Sequence, residues 1–333
     1  MKILPGMRIK LAAVVFACMV AGSALCHAAG PSHIVVLRSE QSSLPESILR
    51  ETFATIERCR HTLIQRRDEN GLWKLADNTS TVFPVLALIG DDSDFYNSIV
   101  EESCSASSLL IDDIISKPWD EIYYGEAAYM ALVYSLTQNC QNKNRQLVDR
   151  LTKTRLENRA DPKVRLIGLL ATELNSISIP GRWASLANDI FKDSEPTATR
   201  VAISAICRFM NSLEISGSMQ PGKDVLAHAR WLSKHLDLGF GKKTPIPDPV
   251  SPESAFFTAV LVSQLPRQML IEDATLMPYN WRNHLANRLI AQQLNDPESG
   301  LNYWDTSDTP SPYSDRALYD TTYAIMALML MTQ

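Results

Sequence analysis

The feature that most constrains this chain is an alternation. Segments whose apolar residues recur every three to four positions lie at roughly 44–67, 92–109, 142–157, 181–193, 222–238 and 280–294. They take turns with segments that are apolar nearly all round, at roughly 79–89, 122–137, 161–176, 197–213, 253–264 and 319–331. A striped helix covers a core from one side, whereas a helix with almost no polar face must be surrounded. Six such pairs in strict order predict an all-α fold, an (α/α)6 toroid with six inner helices inside six outer ones. Strand-like alternation does not persist after His33–Leu37.

A repeat of about 50 residues fits one helical pair with its two connections. Trp183, Trp231 and Trp281 stand 48 and 50 residues apart, each in an outer segment, where they are expected to be packing residues. An open solenoid would share this repeat. Closure is favoured by two matching stretches near opposite ends. The first reads Gln65-Arg66-Arg67-Asp68-Glu69-Asn70-Gly71-Leu72-Trp73, and then Thr79-Ser80-Thr81 opens the segment with Leu86-Ala87-Leu88. The second runs from Gln292 or Gln293 through Asp296-Pro297-Glu298-Ser299 to Gly300-Leu301-Asn302-Tyr303-Trp304, and Asp320-Thr321-Thr322-Tyr323 opens the last inner segment. Both resemble the Gln-Asp-Gly-Trp repeat of the prenyltransferase and squalene-cyclase superfamily. The resemblance implies an α/α toroid in which Gly permits a tight reversal, Trp wedges between helices, and Thr or Ser caps the inner helix. Trp73 and Trp304 are therefore expected to be buried.

The superfamily's reactive motifs are missing. No Asp-X-Asp-Asp acid motif, zinc-binding Asp-Cys-His set or Cys-Gly-Glu-Gln thioester stands at the matching places. Asp91-Asp92-Ser93-Asp94 and Asp112-Asp113 are read as solvated turn and cap carboxylates. No metal and no cofactor is expected.

The first residues have the order of a secretory signal peptide. Lys2, Arg8 and Lys10 precede the apolar run Leu11–Ala21, and the small-residue run Cys26-His27-Ala28-Ala29 places cleavage after Ala28. The apolar run is shorter than the ~20 residues that span a bilayer, so an exported periplasmic or secreted chain without a stable membrane anchor is expected. Removing 28 of 333 residues leaves 305, a length suited to a single ring at 29–333. Net charge is −5 with no basic cluster, which argues against nucleic acid as a partner. Cys59, Cys104, Cys140 and Cys207 remain, and Cys59 with Cys104 is the pair expected to form a disulfide.

In a ring of this kind the inner helices start at one end, where unpaired amides and positive helix termini suit anions and carboxylates. The sequence places Trp119, Asp120, Glu121, Tyr123, Tyr124 and Glu126 there, then Ser251, Glu253 and Ser254. Asp305, Asp308, Tyr313, Asp315, Arg316, Tyr319 and Asp320 complete the mouth. Aromatic faces with paired acids suit sugar rings and also carbocations. Glu126 and Asp320, each opening a very apolar helix, are the candidate acid and base. Trp119, Asp120, Tyr123, Tyr124, Glu253, Tyr313, Asp315, Arg316 and Tyr319 are the candidate substrate-binding set. A carbohydrate-active enzyme, hydrolase or lyase, acting on a glycan or other extracytoplasmic ligand is the leading expectation. The two alternatives are a noncatalytic binding or scaffold toroid and a terpenoid- or prenyl-processing enzyme.

Overall fold

In a computed structural model of the chain, the described residues are 44–76, 80–89, 93–154, 161–175, 177, 180–191, 195–216, 221–236, 250–265 and 280–332. The expected leader at 1–28, the stretch His33–Leu37, Thr79 and the pair Asp91-Asp92 lie outside them.

The outer helices are α1 (Glu46–Gln65), α2 (Asp94–Ser108), α5 (Gln141–Lys153), α7 (Arg182–Asp189), α9 (Lys223–Leu236) and α11 (Trp281–Ala291). The inner elements are a 3-10 helix at Phe83–Ala87, then α4 (Glu121–Thr137), α6 (Pro162–Leu174), α8 (Ala198–Ser216), α10 (Pro252–Ser263) and α12 (Asp315–Met331). Each inner element packs on the next, and α12 packs on the 3-10 helix and on α1, so the ring is closed. The fold is an α/α toroid. Ser107 meets Tyr134, and Cys104 meets Thr137 three residues earlier and three later, so consecutive helices run antiparallel and the inner ones run parallel.

Sequence sets the starts of the inner helices directly. Asp120 accepts from the Tyr123 amide, Asp161 from Lys163 ahead of Pro162, Ser251 from Ser254 ahead of Pro252, and Ser314 from Ala317. Each such cap is worth about 1 kcal/mol, and Pro in the first turn gives up only an amide that has no partner there. Past its first turn α12 is buried almost without interruption from Ala317 to Met331.

Three local expectations change. The first inner segment, expected at 79–89, is a five-residue 3-10 helix, because a stretch this short does not offset the cost of an α-helical nucleus and instead closes three-residue bonds, Val85 to Val82 and Leu88 to Val85. The last inner helix starts at Asp315 rather than 319, since Ser314 caps it. A short helix α3 (Ile111–Ser116), buried through Ile111 and Ile114, joins α2 to α4.

The two matching turns are close copies. Asp68 and Asp296 donate their amides to Leu72 and Leu301 at 2.8 and 2.9 Å, and each carbonyl receives the glycine amide, at 3.0 and 2.8 Å. Gly71 and Gly300 have φ of 82° and 71°, the left-handed region that side chains resist. The hairpins differ in placement: β1 (Trp73–Lys74) and β2 (Ser80–Thr81) pair after the first turn, whereas β3 (Leu294–Asn295) and β4 (Asn302–Tyr303) bracket the second. Trp73 and Trp304 are each 1% exposed, and their indoles donate to Leu63 O and Leu289 O at 2.7 and 2.8 Å. The expected burial of both tryptophans is observed.

First and last pairs are joined by polar contacts as well as by packing. Asn302 N donates to Thr62 Oγ1 at 3.0 Å, Arg66 to Tyr313 O at 3.1 Å, Ala76 N to Asp315 Oδ2 at 2.9 Å, and Gln293 to Cys59 Sγ at 2.9 Å. The last contact corrects the expected Cys59–Cys104 disulfide. Cys59 faces Gln293 of the final pair, whereas Cys104 faces Thr137 of α4, and both thiols are free. Burial pushes the Cys59 thiol up to about 12.

Candidate functional site

Inside the ring, aromatic side chains from four inner elements meet. Phe83 lies 4.7 Å from the Tyr129 ring, 5.0 Å from Tyr323 and 5.2 Å from Tyr319. Phe256 and Phe257 of α10 approach Tyr323 at 5.6 and 5.8 Å. The hydroxyls of Tyr129 and Tyr323 share a hydrogen bond of 3.1 Å between helices on opposite sides of the 3-10 helix. Burial pushes both phenols well above their ordinary range, so they stay protonated donors. These contacts form a floor across the interior, beyond the first turn of α4 and α12.

On three of the inner helices an acid stands three residues before a floor aromatic. Residues three apart are neighbours on a helix surface, so Glu126, Glu253 and Asp320 each lie one turn before Tyr129, Phe256 and Tyr323 on their own helices, and Glu253 is the one of the three whose charge acts on both Tyr129 and Tyr323. The local sequences are Glu126-Ala-Ala-Tyr129, Glu253-Ser-Ala-Phe256 and Asp320-Thr-Thr-Tyr323. The small residues between acid and aromatic pack where the inner helices come close, and Ala127, Ala128, Ala255, Thr321 and Thr322 are all buried to 1% exposure or less.

The acids differ in their partners. Glu253 pairs with Lys163 of α6 at 2.9 Å, a contact that reaches past α8. Asp320, 1% exposed, receives the Thr306 amide, the Thr306 hydroxyl and Arg316 Nε at 2.9, 2.8 and 2.9 Å, all on Oδ2. Its burial is the largest influence and raises its pKa above the usual carboxylate range, against the pull of Thr306 and Arg316. Asp305 in the same loop has the opposite balance. Desolvation again raises it most, but Ser307, Ser314 and the Ser311 amide together outweigh that and hold it below the usual range. Asp305 is thus a loop organiser, while Asp320 is an acid that keeps its proton more readily than a solvated aspartate.

The expected substrate-binding residues divide. Tyr319 joins the aromatic floor through Phe83, Glu253 pairs with Lys163, and Arg316 bonds Asp320. Tyr124 lies apart: it is five residues from Tyr129, which turns it away from the axis, and it lines a small recess with Arg165, Arg182 and Leu186 of α6 and α7. Trp119 packs edge-on to Tyr124 at 6.2 Å, under the Arg150 guanidinium at 4.7 Å. Tyr123 sits beside Lys117, whose Nζ is 5.2 Å from the ring centre, and Asp120 is engaged in capping α4. Tyr313 is 65% exposed and contributes its carbonyl to Arg66, while Asp315 holds the Ala76 amide. These last two belong to ring closure. The floor residues Phe83, Tyr129, Phe256 and Phe257 were not in the expected set, although the acid-small-small-aromatic spacing marks three of the floor positions on α-helices.

A closed α/α toroid with an aromatic floor and acids at the starts of its inner helices is the class that fold and site define. No protein-family model matches the chain, and no curated protein matches it by sequence. Solved structures with the same fold include those of the type II terpene cyclase MstE from Scytonema. A variant of it in complex with the product merosterolic acid A is 11% identical, with a TM-score of 0.53 over 87% of this chain and 99% of that one. A second variant, in complex with the substrate geranylgeranyl dihydroxybenzoate, is also 11% identical, with a TM-score of 0.53 over 86% and 99%.

Proposed function

We propose that this toroid is a terpenoid- or prenyl-processing protein that takes an isoprenoid chain into the mouth side of its ring, with Asp320 and Glu126 as the acid and base. The observation that carries this reading is the Phe83–Tyr129–Phe256–Tyr323 floor inside the ring, with the buried Asp320 three residues before Tyr323 on the same helix. An alkene is protonated only by an acid that holds its proton in an apolar site, and burial moves Asp320 in that direction. The cation so formed is stabilised by aromatic faces, which the floor and Tyr319 supply. The base role returns the proton to a carboxylate when the cation collapses to an alkene. The likeness to the terpene cyclases in fold supports this reading over the carbohydrate-active one, for which neither the fold nor the neighbours offer support.

The test uses the purified chain and linear prenyl substrates, geranylgeranyl dihydroxybenzoate among them. Cyclised products have the mass of the substrate and a new chromatographic position. Asp320→Asn and Glu126→Gln are each expected to cut turnover by about 100-fold or more with the fold retained. Wild-type protein that neither converts nor saturably binds any prenyl chain would overturn the proposal.

A second reading, a noncatalytic binding toroid, draws on one observation: Glu253 is already ion-paired with Lys163, and Asp320 with Arg316. It is met by saturable prenyl binding without product, unchanged in both variants.

A further inference from the structure

Away from the mouth, the connection from α4 to α5 is unusual. Gln138 and Cys140 both adopt left-handed backbone, with φ of 56° and 51°. Side chains other than Gly, Asn or Asp are strained in that conformation, and it persists where neighbouring contacts over-determine it. The turn carries Cys140 back over α2, where its Sγ approaches the Cys104 carbonyl at 3.8 Å. The Cys104 Sγ in turn lies 3.8 Å from Thr137 Oγ1, three residues before Cys140. Both contacts place the two thiols on the same side of the C-terminal end of α4, between consecutive outer helices. Cys140 is partly exposed, and Cys104 is 1% exposed beneath it.

We infer that Cys104 and Cys140 form a redox-responsive pair, and that their disulfide clamps α2 to the start of α5. The electron acceptor is a disulfide, either a small molecule or a thiol–disulfide exchange protein, of the kind an exported chain meets. The partly exposed Cys140, as its thiolate, attacks the acceptor disulfide, forming a mixed disulfide and releasing one thiol. Cys104, giving its proton to solvent, then attacks Cys140 Sγ and expels the second thiol. One S–S bond is made and one is broken, and two electrons pass to the acceptor. Burial raises the Cys104 pKa most, with Thr137 and Asn139 opposing, so Cys104 forms its thiolate less readily than a solvated cysteine. Among the described residues, Cys59 and Cys207 have no such neighbouring thiol: Cys59 faces Gln293, and Cys207 is fully buried in α8.

The test incubates the pre-reduced full chain with oxidised glutathione and maps its peptides without reduction. The expected result is a Cys104–Cys140 crosslink, two fewer titratable thiols, and a higher Tm that returns to its starting value on reduction. Cys140→Ser is expected to abolish the crosslink and the Tm shift, whereas Cys59→Ser leaves both intact. Glutathione retained on Cys140 with no crosslink, a crosslink through Cys59 or Cys207, or an unchanged thiol count would each overturn the inference. Cys140 lies at a partly exposed helix start, so its serine variant tests the pair even if Cys104→Ser fails to fold.

Discussion

The first and last helical pairs carry nearly the same turn yet lead into different inner elements. Both turns place an aspartate, a left-handed glycine and a buried tryptophan whose indole holds an outer-helix carbonyl. After Trp73 the chain makes a five-residue 3-10 helix, while after Trp304 it makes a capped loop and the seventeen-residue α12. The turn is therefore a local device that fixes how a pair reverses, and the inner element after it is free to be a short plug or a long helix bearing an acid. Phe83 from the short element and Tyr323 from the long one still reach the same floor, 5.0 Å apart.

The largest test of this equivalence removes the wedges. Trp73→Ala and Trp304→Ala are each expected to cost about 3–5 kcal/mol in denaturant unfolding, as large aromatics in a packed core do. A loss of under about 1 kcal/mol at one site alone would break the equivalence. A smaller effect separates the glycines. Ala at either position must hold positive φ, a cost of about 1–2 kcal/mol. At Gly71 the added carbon would also meet Arg67 Nη2 at 2.7 Å, whereas at Gly300 it meets nothing within 4 Å. Gly71→Ala is thus expected to be the more destabilising of the two, by a margin set by how easily Arg67 leaves Gly71 O and Glu102. Equal losses would show that backbone strain alone decides.

The smallest effect is in pH. In the first turn desolvation raises the Asp68 pKa most, but the Leu72 amide, Lys74 and Asn70 together hold it below its ordinary value; Asp296 is held down chiefly by Ser299. A depressed folded pKa gives stability that is present above the unfolded value near ~4 and lost as pH falls through the folded one. Asp320 has the reverse sign: its contribution is full below ~4 and is lost as pH rises through its raised folded pKa. Urea midpoints from about pH 3 to 7 should therefore show Asp68→Asn flattening the acid-side loss and Asp320→Asn removing a loss on the higher-pH side. Asp320→Asn leaving the pH profile unchanged would mean that Arg316 neutralises the acid fully.

How much of the molecule was legible in the sequence depends on the range of the interactions. The turns are legible because Asp, Gly and Trp act within a dozen residues of one another. The ring is legible because helices apolar all round need partners on every side. The floor was hidden for the same reason: α4 and α10 have no polar face to show which side is inward, so Tyr129 and Phe256 read as ordinary core. Tyr123 and Tyr124 were assigned to the mouth by nearness to a helix start, but at about 100° per residue they turn toward the outer layer. Only the repeated spacing of Glu126 with Tyr129, Glu253 with Phe256 and Asp320 with Tyr323 carries the inward direction, and it becomes visible once one of the three is placed. Asp320 was singled out by its place at an apolar helix start, but the opposite pKa balances of Asp305 and Asp320 were not legible, since they depend on how a folded loop directs its amides and hydroxyls.

The bonds from Asn302 to Thr62 and from Gln293 to Cys59 have a further consequence for how this molecule comes apart. A linear stack of helical pairs frays from its free ends, and its outermost amides exchange with solvent fastest. Here the would-be end pairs hold each other, so neither can open without exposing the other's buried face. Amide protection in α1 and α11 should accordingly match that of the central pairs, and loss of the Thr62 hydroxyl should open both together.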